Sequence, residues 1–283
     1  MMSVTPDDWS PADHPYAIAV SEAQWWQRAT QLAVLRLRED DDRRISWFSS
    51  RQIDARQLVF ALRQLLNAER LEQVALSTLG IDAAVGAALS TARQRFTDAL
   101  PGIKHMRDAL MHFDEWSRGE GKFGPQRQRR DAGAALRDVA REYWGFEYDS
   151  SRGTISLGLY TISVDAADRA AAELSNAIYL AAHQVDIKNT ANLRAKTSDA
   201  LTSAGIVFNL PEAEVTISSG NDLRIWITLS ASARNDIVVI KDLANRIIAA
   251  LDGSGLHLSS TNMAEAFDPT ERLIRGEALY VAS

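Results

Sequence analysis

The chain contains no cysteine among its 283 residues. This absence excludes disulfide bonds, thiol nucleophiles and zinc sites built on thiolates. Histidine is scarce as well, and of the five histidines only His105 and His112 lie close together in the sequence. Seven residues correspond to about 10.5 Å along a helix axis, so one metal ion could not bind both imidazoles. We therefore expect no metal site.

Long apolar runs are also missing. No stretch approaches the roughly 20 apolar residues that a membrane-spanning helix needs, and the acidic residues 1–15 lack the basic start and apolar centre of a signal peptide. The net charge of -6 argues against a general nucleic-acid coat protein, although it leaves room for one local basic patch. We expect a cytoplasmic protein with no membrane partner.

Common cofactor and nucleophile motifs are absent too. Gly119, Gly121 and Gly124 have the spacing of a dinucleotide-binding loop, but they follow a predicted helix rather than a strand. Neither a phosphate-binding Gly-x-x-x-x-Gly-Lys-Ser/Thr nor a Gly-x-Ser-x-Gly nucleophile motif occurs. The sequence therefore predicts no cofactor.

Hydrophobic periodicity predicts a mainly α N-terminal helical bundle with a β-hairpin, followed by a smaller α+β C-terminal unit. The predicted helices of the bundle cover residues 20–38, 54–76, 82–96, 103–116, 132–144 and 166–183. The predicted hairpin covers residues 145–164, and the later unit has a hairpin over 213–230, a helix over 236–251 and a strand over 277–282. We divide the chain into a flexible segment 1–15, the bundle 16–190 and an α+β domain 191–283, with a polar stretch near the boundary.

The segment from Ile103 to Trp116 is the most informative part of the sequence. At 3.6 residues per turn it forms one amphipathic helix, with its apolar residues on one arc and its polar residues on the other. The polar arc contains Arg107, Asp108 and His112 in the pattern Arg-polar-x-x-x-His. The chemistry of the chain is therefore expected on this face.

A helix with this pattern, preceded by a run of predicted helices, resembles the HEPN family. The resemblance covers residues 15–190 by architecture and only Arg107, Asp108 and His112 by motif. It implies a homodimeric, metal-independent endoribonuclease whose two motif helices face each other across the dimer interface. It also implies a toxin or defence system, in which an antitoxin or regulatory protein is a further partner. We expect the C-terminal unit to serve recognition or assembly.

The chemistry of these residue types agrees with that interpretation. Histidine transfers protons near neutral pH, and arginine offers a planar fork of donors to phosphate oxygens. Asp108, four residues before His112, is expected to orient the imidazole, with Glu115 as a rival. Arg107 and His112 lie about 140° apart on an ideal helix. Convergence on one phosphate therefore requires a long reach by the arginine, a distorted helix or a second subunit.

A basic segment follows the motif and includes one aromatic residue, Phe123. We expect RNA phosphates to be bound by the cationic residues of the motif helix and this segment, namely Lys104, Arg118, Lys122, Arg127, Arg129 and Arg130. The alternative is an exposed loop with no binding role.

A non-catalytic interaction or scaffolding protein is the alternative at the level of function. In that case the motif residues are the charges of an ordinary surface helix, and pairs such as Lys104–Asp108 and Asp114–Arg118 stabilise it.

Overall fold

The computed structural model describes residues 10–39, 49–122, 124–206, 208–209, 213–219, 223–229, 237–259 and 268–282. The chain forms two compact units, residues 1–184 and residues 185–283. The first is mainly helical with a small antiparallel sheet, and the second is a small α+β unit, which confirms the predicted fold class. The unit boundary lies six residues before the predicted one.

The first unit is built around two long helices that pack along each other. After a short 3-10 helix, Pro11–Asp13, its helices are α1 (Pro15–Arg38), α2 (Ser50–Thr78), α3 (Ala83–Ala99), α4 (Ile103–Met111), α5 (Phe113–Trp116), α6 (Pro125–Asp131) and α7 (Leu136–Tyr143). Helix α2 packs against α1, α3, α4 and the small sheet, with Leu58, Leu62 and Leu65 fully buried. These three leucines of the helix predicted over residues 54–76, which we call the leucine stripe, form the centre of this core.

The small sheet has three strands instead of the predicted two. Strands β1 (Phe146–Asp149), β2 (Thr154–Leu157) and β3 (Tyr160–Ser163) form an antiparallel meander. The prediction of one strand over residues 154–164 is wrong because the chain turns at Gly158, whose φ is 56°. A Cβ at Gly158 would lie 2.6 Å from the Tyr143 Cα, so only glycine fits this turn.

Helix α8 (Val164–Ser203) is 40 residues long and belongs to both units. The predicted end of the helix at residue 183 is wrong, and the polar stretch 186–197 is helical. The segment contains neither glycine nor proline, so nothing in it interrupts the helix. Its polar residues include the fully buried Thr197, whose hydroxyl donates to the Leu193 carbonyl oxygen at 2.8 Å.

The second unit packs helices on a four-stranded antiparallel sheet. Its elements are β4 (Ala213–Ser219), β5 (Leu223–Leu229), α9 (Ile237–Gly253), β6 (His257–Ser259), α10 (Pro269–Ile274) and β7 (Leu279–Ala282), with strand order β4-β5-β7-β6. The β4–β5 hairpin and α9 confirm the prediction, while the sequence analysis missed β6 and α10. The predicted turn at 220–222 and residues 230 and 236 lie outside the described residues.

The predicted flexible segment 1–15 is partly structured. Residues 1–9 lie outside the described part of the chain, but residues 10–15 contain the 3-10 helix and the first residue of α1. The Ser10 hydroxyl accepts a hydrogen bond from the Ala12 N–H at 3.2 Å and caps this turn.

Gly102 lies in the turn between α3 and α4 and packs against Tyr160 of β3. Its φ is 79°, and a Cβ there would overlap the Tyr160 ring. We expect Gly102→Ala to lower the free energy of unfolding by about 1–2 kcal/mol for the left-handed backbone and by about 1–3 kcal/mol more for the overlap. Chemical denaturation measures both.

Gly133→Ala is the matched control because Gly133 has φ 86° and no atom within 4 Å of its Cβ position. It should carry the backbone cost alone. Equal destabilisation of the two variants would contradict the close approach of Gly102 and Tyr160.

Candidate functional site

The motif segment is broken at His112, so the prediction of one helix from Ile103 to Trp116 is wrong. His112 has φ −115° and ψ 43°, and it ends α4 and begins α5. Its N–H still donates to the Asp108 carbonyl oxygen at 3.0 Å, and its carbonyl oxygen accepts from the Trp116 N–H at 3.0 Å. Beyond the break Trp116 is buried, while Phe113, predicted on the same apolar arc, is 61 % exposed.

Arg107 and Asp108 form an ion pair with each other. The Arg107 Nη1 lies 3.1 Å from the Asp108 Oδ1, and both side chains are about one-third exposed or less. The predicted Lys104–Asp108 and Asp114–Arg118 pairs are not formed among the described residues. Asp108 contacts its neighbour, and Arg118 contacts Glu120 with its Nη2 2.8 Å from the Oε2.

The imidazole of His112 is exposed and has no carboxylate partner among the described residues. Asp108 is engaged by Arg107, and the Glu115 Oε1 lies 2.6 Å from the Lys122 Nζ. The Glu115 hydrogen bond and charge raise the pKa of Lys122. The expected contact by which Asp108 orients the His112 imidazole is therefore not formed within the chain. Asp108 pairs with Arg107 instead, and α4 ends at His112.

Most of the predicted RNA-binding cations have partners within the chain. Arg127 lies 3.6 Å from Asp131 and Arg129 lies 2.9 Å from Glu142, measured between guanidinium nitrogen and carboxylate oxygen. Arg118 and Lys122 are paired in the same way, and because the cations of all four pairs are exposed, solvent screens these ion pairs. A phosphate can therefore compete for them. Lys104 is exposed, and no described carboxylate lies within ion-pair distance of it.

Arg130 has a structural role in the predicted binding segment. Its Nη1 donates to the Gly119 carbonyl oxygen at 2.7 Å, and its Nη2 donates to the Gly121 carbonyl oxygen at 2.9 Å. The fully buried Gln126 accepts from the Gly121 N–H at 2.8 Å and donates to the Trp116 carbonyl oxygen at 2.9 Å. The expected exposed loop is thus a braced turn that leads into α6, and Phe123 lies outside the described residues.

His105 lies in an environment that sequence reasoning missed. Its ring stacks on Tyr160 with the centroids 5.3 Å apart and the planes at 25°. A Cβ at Gly124 would lie 3.1 Å from the His105 Cε1, so the imidazole is enclosed between the sheet and the turn before α6. Burial lowers the pKa of His105, against the opposing effect of the Asp108 charge. The helical pattern alone placed it on the polar face.

Two charged side chains of α2, Arg63 and Glu69, are withdrawn from solvent in this unit. The half-buried Arg63 has a buried Nε with no partner among the described residues, while its Nη1 donates to the Asn67 Oδ1 at 2.9 Å. Glu69 is fully buried beside α3, where the Arg93 Nη1 lies 3.2 Å from its Oε2, and burial raises the pKa of Glu69. Glu69 continues the helical spacing of the leucine stripe, a signal that marks it as a buried carboxylate.

Within the described part of the chain, no group of three or more histidine, aspartate or glutamate side chains is arranged to hold a metal ion. No described helix is both long enough and apolar enough to cross a bilayer.

No protein-family model, curated protein or solved structure matches the chain.

The enclosure of His105 predicts a pH dependence of stability. Because its folded pKa lies below the unfolded value of about 6.5, the unfolded chain binds more protons below that pH. Neutral His105 therefore contributes to the free energy of unfolding above pH 6.5, and this contribution is lost as the pH falls through the lowered pKa of the folded state. We expect His105→Gln to weaken the fall in unfolding free energy between pH 7.5 and pH 5, measured by chemical denaturation.

His257→Gln is the control because the His257 side chain is exposed in the second unit. It should keep the wild-type pH slope. An unchanged slope in His105→Gln would refute the enclosure, whatever its absolute stability.

Proposed function

We propose that the protein is a HEPN-like, metal-independent endoribonuclease that acts as a homodimer. The observation that supports this most is the break at His112, which leaves the imidazole exposed four residues after the Arg107–Asp108 pair. A distorted helix is one of the three conditions under which a histidine and an arginine in this pattern reach one phosphate. Dimerisation is a second.

The chemistry needs three groups around one phosphodiester. A base removes the proton of the 2′-hydroxyl, whose oxygen attacks phosphorus, and an acid protonates the departing 5′-oxygen. His112 of one protomer supplies one of these groups, and the partner subunit's His112 supplies the other. Arg107 donates to the nonbridging oxygens, where negative charge increases in the transition state.

The Asp108 side chain contacts Arg107 and not His112, so in this proposal it acts on the guanidinium. Its carboxylate accepts a hydrogen bond from the Arg107 Nη1 at 3.1 Å and so occupies part of the guanidinium fork. Only Nη1 is used in that bond, so the remaining donors are available to a phosphate. Because the pair is about one-third exposed, breaking it costs little.

The second candidate is a non-catalytic interaction protein built on the same bundle. The specific observation that favours it is the intrachain pairing of Arg107, Arg118, Lys122, Arg127 and Arg129, which makes these residues ordinary surface charges. The exposed apolar residues beside His112 would then serve association alone.

Cleavage in the presence of EDTA separates the two functions. We expect purified protein to cleave single-stranded RNA with chelator present. His112→Ala and Arg107→Ala should each lower the rate by about 100-fold or more, because each removes a proton-transfer or charge-stabilising group. Cleavage of a fluorescent oligonucleotide gives the rates.

His257→Ala and Arg95→Ala are the matched controls, since both residues are exposed and lie outside the motif. They should retain the wild-type rate. Equal activity of His112→Ala and wild type would exclude the mechanism, and absence of cleavage in every protein would favour the interaction function.

The exposed apolar residues beside His112 predict the dimer interface. Met111 is 49 % and Phe113 is 61 % exposed, on either side of the imidazole. We expect Phe113→Ser to weaken dimerisation by at least about tenfold, because a Phe side chain buried in an interface contributes about 1.5–3 kcal/mol. Sedimentation equilibrium measures the dissociation constant.

Leu159→Ser is the control because Leu159 is also 61 % exposed but lies in the β2–β3 turn. A dimer that is weakened by Leu159→Ser and not by Phe113→Ser would place the interface away from the motif.

A further inference from the structure

Four arginines from three helices gather near the motif, and we call them the arginine cluster. They are Arg63 and Arg70 on α2, Arg93 on α3 and Arg107 on α4. Arg63 and Arg70 lie seven residues apart and therefore on one face of α2, and α2 packs against both of the other helices. Only Arg107 was identified from the sequence pattern.

The charges of the arginine cluster act on one another. The pKa of Arg63 is lowered mainly by burial and also by the positive charges of Arg107, Arg93 and Arg70, while the Asp108 charge opposes this. Glu69 pairs with Arg93 and Asp108 pairs with Arg107. Arg63 and Arg70 have no carboxylate within ion-pair distance among the described residues.

Arg63 has a buried guanidinium nitrogen without a hydrogen-bond acceptor among the described residues. The residue is half-buried, and this nitrogen is its Nε. A buried donor without an acceptor is costly. Because the Nε is closed to solvent, a phosphate on this face would be bound through the terminal Nη groups of the guanidinium. The local positive excess stands out in a chain whose net charge is -6.

We propose that the arginine cluster binds phosphodiester groups of the RNA substrate, with Arg63 and Arg70 holding the backbone beside Arg107. This inference rests on the proposed nuclease function and identifies its substrate-binding residues. The main phosphate site would then lie where α2 contacts α3 and α4, and not in segment 118–130, whose cations form ion pairs within the chain. Because these contacts read only the backbone, they apply to every RNA sequence.

Binding of an uncleavable RNA tests the proposal independently of catalysis. The probe is a fluorescent single-stranded 2′-O-methyl RNA in EDTA, titrated with full-length protein at several salt concentrations. We expect Arg63→Gln and Arg70→Gln each to raise the Kd about tenfold, because each removes a charge-assisted phosphate contact. The slope of log Kd against log salt should fall in magnitude by about 0.7 for each phosphate that the variant no longer neutralises.

Two further variants sharpen the interpretation. Arg95→Gln removes the same charge from α3 two residues from Arg93, on the opposite side of that helix, and should keep the wild-type Kd. Arg63→Lys keeps the charge but loses the fork, so it should retain the salt slope with an intermediate Kd. Arg70 is exposed, so Arg70→Gln stays informative if Arg63→Gln does not fold.

The outcomes separate this inference from the proposed function. Unchanged Kd and salt slope in Arg63→Gln and Arg70→Gln overturn the phosphate site, even if the wild type cleaves RNA. A loss of affinity in both variants, in a protein that never cleaves, supports the phosphate site and overturns the nuclease. An equal loss in Arg95→Gln overturns the assignment, because the effect is then one of overall charge.

Discussion

The packing of α2 is the constraint on which the first unit depends. Its apolar face is buried against α1, α3 and α4, and the charged residues Glu69 and Glu72 of this helix are buried with it. Glu69 is fully buried and keeps Arg93 beside it, since an unpaired carboxylate there would be strongly destabilising. Arg63, on the same helix, is half-buried. The charged groups near the motif are thus positioned by the apolar core.

The arginines of the first unit differ in their partners and in their exposure. Those of the segment after the motif are exposed and paired with nearby carboxylates, an arrangement that contributes little free energy and that a ligand can replace. Arg130 is different because its fork is bonded to two backbone carbonyl oxygens, so its removal would unbrace the turn. A half-buried guanidinium loses less conformational freedom when it binds phosphate. Arg63 and Arg70 differ from the arginines after the motif because no described carboxylate lies within ion-pair distance of them.

The sequence predicted what depends on local periodicity and missed what depends on tertiary contacts. Helices α2 and α3 follow from short-range periodicity and are confirmed, and α3 begins with the Asp82 carboxylate accepting from the Ala84 N–H at 2.9 Å. The break at His112 follows from the burial of Trp116 and the bracing of the next turn, which no window of the sequence reveals. Helix α6 was missed for the same reason. The enclosure of His105 depends on Tyr160, 55 residues later.

The two histidines of the motif segment illustrate how the fold selects a candidate for proton transfer. His105 is stacked on Tyr160 and closed in by Gly124, so a substrate has no access to its ring from those two sides. His112 lies at the break, exposed, and can meet a phosphodiester. One protomer therefore offers a single accessible imidazole in this segment, whereas transesterification needs a base and an acid on opposite sides of phosphorus. A second protomer with Phe113 at the contact would supply the missing group, which is why association and cleavage should be lost together.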